Sequence, residues 1–191
     1  MNILSKNHPS SRYRKENGIT TIDLKLPNAN HLFDLRDPAP FREKDLDEDA
    51  VDYIVSATSE FKIKTPLKLA LHFSDLPELG PPENIVCNSI HDYFKYEFNL
   101  VSIKLTRVFR RGHVALIFGL CFLILCLFLS KFIILGEAHM AKTILSEGVT
   151  ILGWVAMWKP CEIFLYSWWP LIEQRAIYKK LSKIDIDIYY S

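Results

Sequence analysis

Hydrophobic and polar positions alternate in three places and cluster in two. In Thr20–Leu26, Ile22, Leu24 and Leu26 alternate with Asp23 and Lys25. Period-two alternation predicts a strand with one buried face. Pro27 ends it, and residues 27–44, with three prolines, read as a loop. The segment 45–62 then changes period. Ala50, Ile54, Ala57 and Phe61 fall on one helical stripe, and Asp45 or Asp47 can cap the helix at its positive N-terminus. In 65–73, Leu67, Leu69, Leu71 and Phe73 alternate with Lys68, Ala70 and His72, a second strand. Strand, helix and strand at this spacing predict a β-α-β unit with parallel strands. His72 falls on its polar face as a solvated or hydrogen-bonded side chain.

After Pro82 a long helical pattern places Ile90, Phe94, Val101, Leu105 and Val108 along one side. No proline interrupts it before Pro160, so it is expected to run unbroken into the apolar part of the chain. Val114–Ser130 is seventeen residues without a charge, and the apolar stretch reaches twenty-two by Leu135 if Lys131 is included. That matches about 30 Å of hydrocarbon and predicts a transmembrane helix. Gly148–Ile172 is twenty-five residues with two charges, Lys159 and Glu162. A charge at the centre of a span costs about 2.5–3.5 kcal/mol, which the apolar residues around it offset in part. The expectation is a second crossing; the rival is an amphipathic or re-entrant segment at the interface. At the end of the chain, Ile184, Ile186, Ile188 and Tyr190 alternate with Asp185, Asp187 and Tyr189. This strand is expected to join the sheet of the first two, or to pair with another subunit.

The fold class expected is therefore an α+β membrane protein. A small cytosolic β-α-β(-α) domain carries a two-helix transmembrane hairpin, and a C-terminal strand returns to the cytosolic sheet. The divisions are a flexible tail over 1–18, the cytosolic domain over 19–111, a first span over 112–135 and an external loop over 136–147. A second span follows over 148–172, then a basic helix and strand over 173–191.

Charge changes this picture by giving it a direction. Residues 1–105 carry a net −3 and residues 106–191 a net +4. Arg107, Arg110 and Arg111 precede the first span, and Arg175, Lys179, Lys180 and Lys183 follow the second. The excess of cations at these ends predicts that both termini face the cytosol, in the cell (inner) membrane. The first nineteen residues are polar and hold no signal-peptide core. With no basic stripe on the soluble part, nucleic acid is not an expected partner. The expected partners are the lipid bilayer and a protein, or a second copy, engaged through the hairpin.

Candidate chemistry is sparse. Cys87, Cys121, Cys126 and Cys161 form no CxxC pair and read as buried thiols. Asp45, Asp47 and Asp49 lack the Gly and Glu that a calcium loop needs. Nucleotide, zinc-protease and serine-hydrolase signatures are missing, so no catalytic residue, cofactor or metal ligand is assigned. What remains is the stretch 147–178. It holds all four tryptophans, Trp154, Trp158, Trp168 and Trp169, expected as interfacial anchors, and Lys159, Pro160 and Glu162 in its middle. Lys159 and Glu162 are three apart and can meet on one helix. Pro160 frees a carbonyl one turn back, near Ala156, for a neighbouring donor. The pair and kink are candidates for an interface or an ion site.

The run GWVAMWKPCEIFLYSWWP, the EG before it and the basic helix after it, with the acidic start DLDEDAVDYIV, resemble a family of uncharacterised small bacterial membrane proteins. The resemblance covers about half the chain. It implies two spans and transfers no functional residue. The function expected is a membrane-anchored accessory or scaffold protein. The alternatives are an oligomeric ion or proton channel component using Lys159 and Glu162, and a membrane-bound enzyme with no visible site.

Overall fold

The computed structural model describes residues 13–16, 18–40, 44–74, 81–134 and 140–190. The chain forms two compact units, one of residues 1–100 with 174–191 and one of residues 101–173.

The first unit is built on a four-stranded mixed sheet in the order β1-β2-β3-β4. Strand β2 (Ile19–Leu26) and strand β3 (Leu67–Phe73) run parallel, with Ile22 beside Leu69 and Leu24 beside Leu71. Helix α1 (Glu48–Ser59) lies between them in sequence, and its N-cap is Asp47, whose carboxylate accepts from the Ala50 N–H. Ala50, Ile54 and Ala57 are buried as the stripe requires, joined by Val51; Phe61 lies beyond the helix end, edge-on to Tyr13. The loop before α1 holds a short 3-10 helix, Ala29–Leu32, and is closed by a bridge between Phe33 and Leu46.

Strand β4 (Asp185–Tyr190) adds to β3 in parallel, with Ile186 beside Leu69 and Ile188 beside Leu71. The returning strand thus joins the sheet of its own chain. Strand β1 (Arg14–Glu16) corrects the expected tail: it pairs antiparallel with β2, turning through Gly18 at φ +81°. A positive φ is open to glycine at little cost. Residues 1–12 of that tail lie outside the described residues.

One sheet face is apolar. Ile22, Leu67, Leu69, Leu71 and Phe73 are buried there, and Val86, Ile90 and Phe94 of helix α2 (Glu83–Ile134) are buried in the same unit. The His91 imidazole bonds the Ile184 carbonyl at 2.8 Å, tying α2 to the start of β4. Lys180 donates to the Thr65 carbonyl at 2.6 Å, and Arg175 stacks on the Phe98 ring. The Lys180 ammonium is depressed by burial. The opposite face is polar. His72 meets Asp23 at 2.8 Å and stacks on Tyr189, while Lys68 pairs with Asp187.

Helix α2 is one uninterrupted element of 52 residues, passing through Gly112. Helix α3 (Met140–Ala156) begins earlier than expected, so residues 140–147, assigned to a loop, form its first two turns. The chain continues through α4 (Trp158–Glu162), a π-helical segment (Ile163–Ser167) and α5 (Trp169–Leu181). Two stretches, Glu83–Ile133 and Met140–Leu181, are long and apolar enough to cross a membrane.

Leu71 is fully buried. Leu71→Ala is expected to cost about 2–5 kcal/mol, whereas Asp187→Asn, on the exposed face, stays within about 1 kcal/mol; urea titration read by proteolytic susceptibility checks both. Burial, with the charge of Glu97, pushes the Tyr93 phenol up to about 12. A folded pKa raised above the unfolded value near 10 favours folding below pH 10 and loses that contribution as pH rises towards 12. Stability of the full chain in detergent is therefore expected to fall across that window, and less steeply in Tyr93→Phe.

Candidate functional site

The second unit is a pair of helices with an inverted pattern of burial. On α2, from residue 112 to residue 130, only Gly112, Gly119, Leu123, Cys126 and Ser130 are buried. Facing them, the buried positions are Ser146, Gly153 and Pro160. The larger apolar side chains point outward: Ile117, Phe118, Phe128, Ile151, Leu152, Trp154 and Val155 are all exposed. Small and weakly polar residues line the seam because they let two backbones approach closely.

The glycines fix how α2 meets the second helix. Gly112 lies against Ile163 and Phe164, and Gly119 against Ala156, Met157 and Pro160. A Cβ on Gly153 would stand 3.0 Å from Cys126 Cβ and from Leu123 Cδ1. At the far end the seam is polar. The Ser130 and Ser146 hydroxyls are 2.6 Å apart, and Thr150 donates to the Ser130 hydroxyl at 3.1 Å or to the Ser146 carbonyl at 3.0 Å.

The helix opposite α2 is irregular where its prolines fall. It breaks at Met157, whose N–H reaches only to Trp154. Pro160 has no N–H for the Ala156 carbonyl. That oxygen lies 3.3 Å from where a Cβ on Gly119 would be, so the glycine leaves room for it. Beyond Glu162 the chain takes a π-helical turn. The Trp168 indole N–H donates to the Phe164 carbonyl at 2.7 Å. Irregular turns of this kind recur at functional sites.

Lys159 Nζ donates to Glu162 Oε2 at 3.1 Å, as the spacing of three allows. Both side chains face away from the seam, 68% and 44% exposed. Their level corrects the sequence reading. They lie alongside the part of α2 between Gly119 and Gly112, because Pro160 packs against the first and Ile163 against the second. The charge-free run of α2 starts at Val114. The pair is therefore within about two turns of the arginine-flanked end of that run, not at its middle. Counting within Gly148–Ile172 alone hid this, because the helix starts at Met140.

The tryptophans divide in the same way. Trp168 and Trp169 follow Phe164 and so lie past the level of Gly112, at the arginine-flanked end, with their rings 5.6 Å apart. Trp154 falls between the levels of Cys126 and Gly119, in the middle of the run, and Trp158 lies near the level of Gly119. Trp154 is thus not placed at an end. The cysteines also depart from expectation. Cys126 is buried in the seam and Cys87 is half-buried, but Cys121 and Cys161 are exposed on the outer surface of the helices. Burial pushes the Cys87 thiol up.

In the first unit, the polar sheet face brings together His72, Asp23, Tyr189, Lys68 and Asp187. Arg14 approaches Asp23 at 3.6 Å. The Asp187 carboxylate holds the Lys68 ammonium above its usual range. Among the described residues, no group of three or more His, Cys, Asp or Glu side chains is placed to hold a metal ion.

The seam makes a graded prediction. Every tryptophan lies in the second unit, so tryptophan fluorescence follows its unfolding there. Gly153→Leu and Gly119→Leu overpack the seam and are expected to cost about 1–3 kcal/mol or to part the helices. Ser146→Ala should cost about 0.6 kcal/mol. A Cβ on Gly148 meets nothing within 4 Å, so Gly148→Ala is expected to be neutral or stabilising. Thermal melts in mild detergent rank the four.

No protein-family model matches this chain, and neither a curated protein nor a solved structure does.

Proposed function

We propose that this is a membrane-anchored accessory or scaffold protein. Its helical pair crosses the bilayer as a hairpin, and the α+β unit stands at the cytosolic face to engage other proteins. The observation that carries this reading is the inverted burial of the pair. A soluble pair of helices buries its large apolar residues and exposes polar ones. Here three glycines, two serines, Cys126 and Pro160, with Leu123 the one large aliphatic side chain, fill the seam, while Phe118, Phe128, Leu152, Trp154 and Trp158 face outward. Such a surface is stable against hydrocarbon and prone to association in water. The internal hydrogen bonds of Ser130, Ser146, Thr150 and Trp168 fit the same reading, since lipid offers polar groups no partner.

The proposed orientation places Arg107, Arg110 and Arg111, with Trp168 and Trp169, at the cytosolic interface, and the connection between the spans outside. Lys159 lies close enough to that interface for its stem to reach towards the headgroups. This lowers the cost of its charge below that of a central one.

A second reading, an oligomeric channel or transporter component, is favoured by one observation: the break at Met157 and the π-helical turn bracket the only ion pair of the helical unit among the described residues. Lys159→Leu separates the two readings. In the accessory reading, flux into liposomes is no greater with wild type than with the variant. A wild-type flux abolished by the substitution replaces the accessory reading with the channel.

The proposal requires the chain to resist extraction by alkaline carbonate. Lys142→Cys, in the first turn of α3, is expected to react with an impermeant maleimide in intact cells. Lys179→Cys is expected to react only after permeabilisation. Reaction of both in intact cells, or of neither, overturns the hairpin.

A further inference from the structure

We infer that the side of α2 turned away from the seam binds an anionic glycerophospholipid, its phosphate held by Arg107 and Arg111 and an acyl chain laid along Val114, Phe118 and Leu125. The inference rests on the membrane reading above and names the lipid that the hairpin takes. The buried seam positions of α2 are Gly112, Gly119, Leu123, Cys126 and Ser130. At about 100° per residue, Lys104, Arg107, Arg111, Val114, Phe118 and Leu125 fall on an arc centred about 120° away from them. All six are exposed. Cys121, on the same arc, is exposed too. Helix α2 passes through this stretch without a break, so the alternating spacing of three and four carries one stripe straight from the cations into the apolar residues.

The join of charge and apolar surface selects the occupant. Lys104, Arg107, Arg110 and Arg111 make no ion pair with a described residue. The described carboxylates of the same unit leave them unmatched. Glu162 is held by Lys159 at 3.1 Å, Glu147 adjoins Ser146 at the far end of the seam, and Glu173 pairs with no described cation. The cations require an anion, and the stripe beyond them requires hydrocarbon. A lipid with a net negative head supplies both in one molecule. An acidic protein or a nucleic acid matches the cations alone, and a zwitterionic lipid brings a cation of its own. The lengths agree. Arg110 and Arg111 stand about 5 Å before Val114 along the axis and Arg107 about 10 Å, where their side chains reach a headgroup layer about 5–7 Å deep. From Val114 to Leu125 the stripe covers about 16 Å, close to one leaflet of a core about 30 Å thick. Trp168 and Trp169, past the level of Gly112, mark the same boundary on the second helix.

The test titrates lipid onto the full chain in mild detergent and counts bound molecules by native mass measurement, with phosphatidylglycerol as the anionic probe and phosphatidylcholine as the zwitterionic one. Wild type is expected to retain phosphatidylglycerol in preference. Arg107→Gln with Arg111→Gln should weaken that binding about 25-fold, about fivefold for each cation removed. Lys131→Gln with Lys142→Gln, which takes the same charge from the far end of the helical pair, should leave it unchanged. Phe118→Ala should weaken it with every charge in place, and glycerol phosphate, which has the anion without the chains, should not displace it. Phosphatidylglycerol carrying a photoreactive group in its acyl chain should label residues 114–125 of the wild-type chain. That labelling needs no substitution, so it decides the matter if the arginine variant fails to insert.

A carbonate-resistant wild type that binds the two lipids equally overturns the inference and leaves the anchor reading intact. So does an arginine variant that binds phosphatidylglycerol as wild type does, a lysine variant that loses as much, or displacement by glycerol phosphate. Acyl-chain labelling only outside 114–125, or an acidic protein recovered on the arginines in place of lipid, overturns it as well. Extraction by carbonate overturns both.

Discussion

Two helices in this chain touch each other where at least one of them carries a glycine or a small side chain. Everything else about the second unit follows from that closeness. Gly112, Gly119 and Gly153 each lie where an added Cβ would meet the opposite helix at between 2.9 and 3.2 Å. The contact sets bare backbone on one helix against Leu123, Met157, Ile163, Phe164 and the Ala156 carbonyl on the other, through dispersion and a few hydroxyl bonds. It gains less from removing apolar surface from water than a soluble pair would, because most of the large apolar residues are on the other side. The same seam absorbs a local defect. The Ala156 carbonyl, to which Pro160 has no N–H to donate, lies 3.3 Å from where a Cβ on Gly119 would stand.

The first unit is held by ordinary means. Ile22, Leu69 and Leu71 in the central strands are buried to the last few square ångströms, and α1, α2 and the end of α5 supply Ile54, Ile90, Phe94 and Leu181 to the same unit's core. The contrast with the helical pair is instructive. In one unit burial is of large side chains and drives folding by the hydrophobic effect. In the other it is of small ones and depends on steric fit. A single chain so divided points to two solvents, which is the physical content of the membrane reading.

Alternation made β2, β3 and β4 legible, because each keeps one apolar face over three or more positions. β1 was not legible by the same rule: Arg14, Lys15 and Glu16 are all polar and all exposed. Its signal was the Asn17–Gly18 dipeptide just before β2, a hairpin turn pair. The helical seam left a fainter mark, the spacing of seven from Gly112 to Gly119 to Cys126. Small residues carry little weight in a hydropathy pattern, so the pairing of the helices, and with it the level of Lys159, emerges only when the two are seen side by side. The ion pair itself was readable from its spacing; that Cys121 and Cys161 face outward was not, since the hairpin is apolar all round.

The parallel pairing of β4 with β3 has a consequence for how this chain is made. Between these neighbouring strands, from Phe73 to Asp185, lies the whole helical pair. The ribosome releases β3 long before β4 exists, so the sheet waits, with one edge open, until the last helix has emerged. In a membrane-inserted chain, β4 reaches that edge only if both helices have crossed and returned to the starting side. If the helices cross as proposed, the sheet can close only after an even number of crossings: a chain threaded once keeps β4 on the far side from β3.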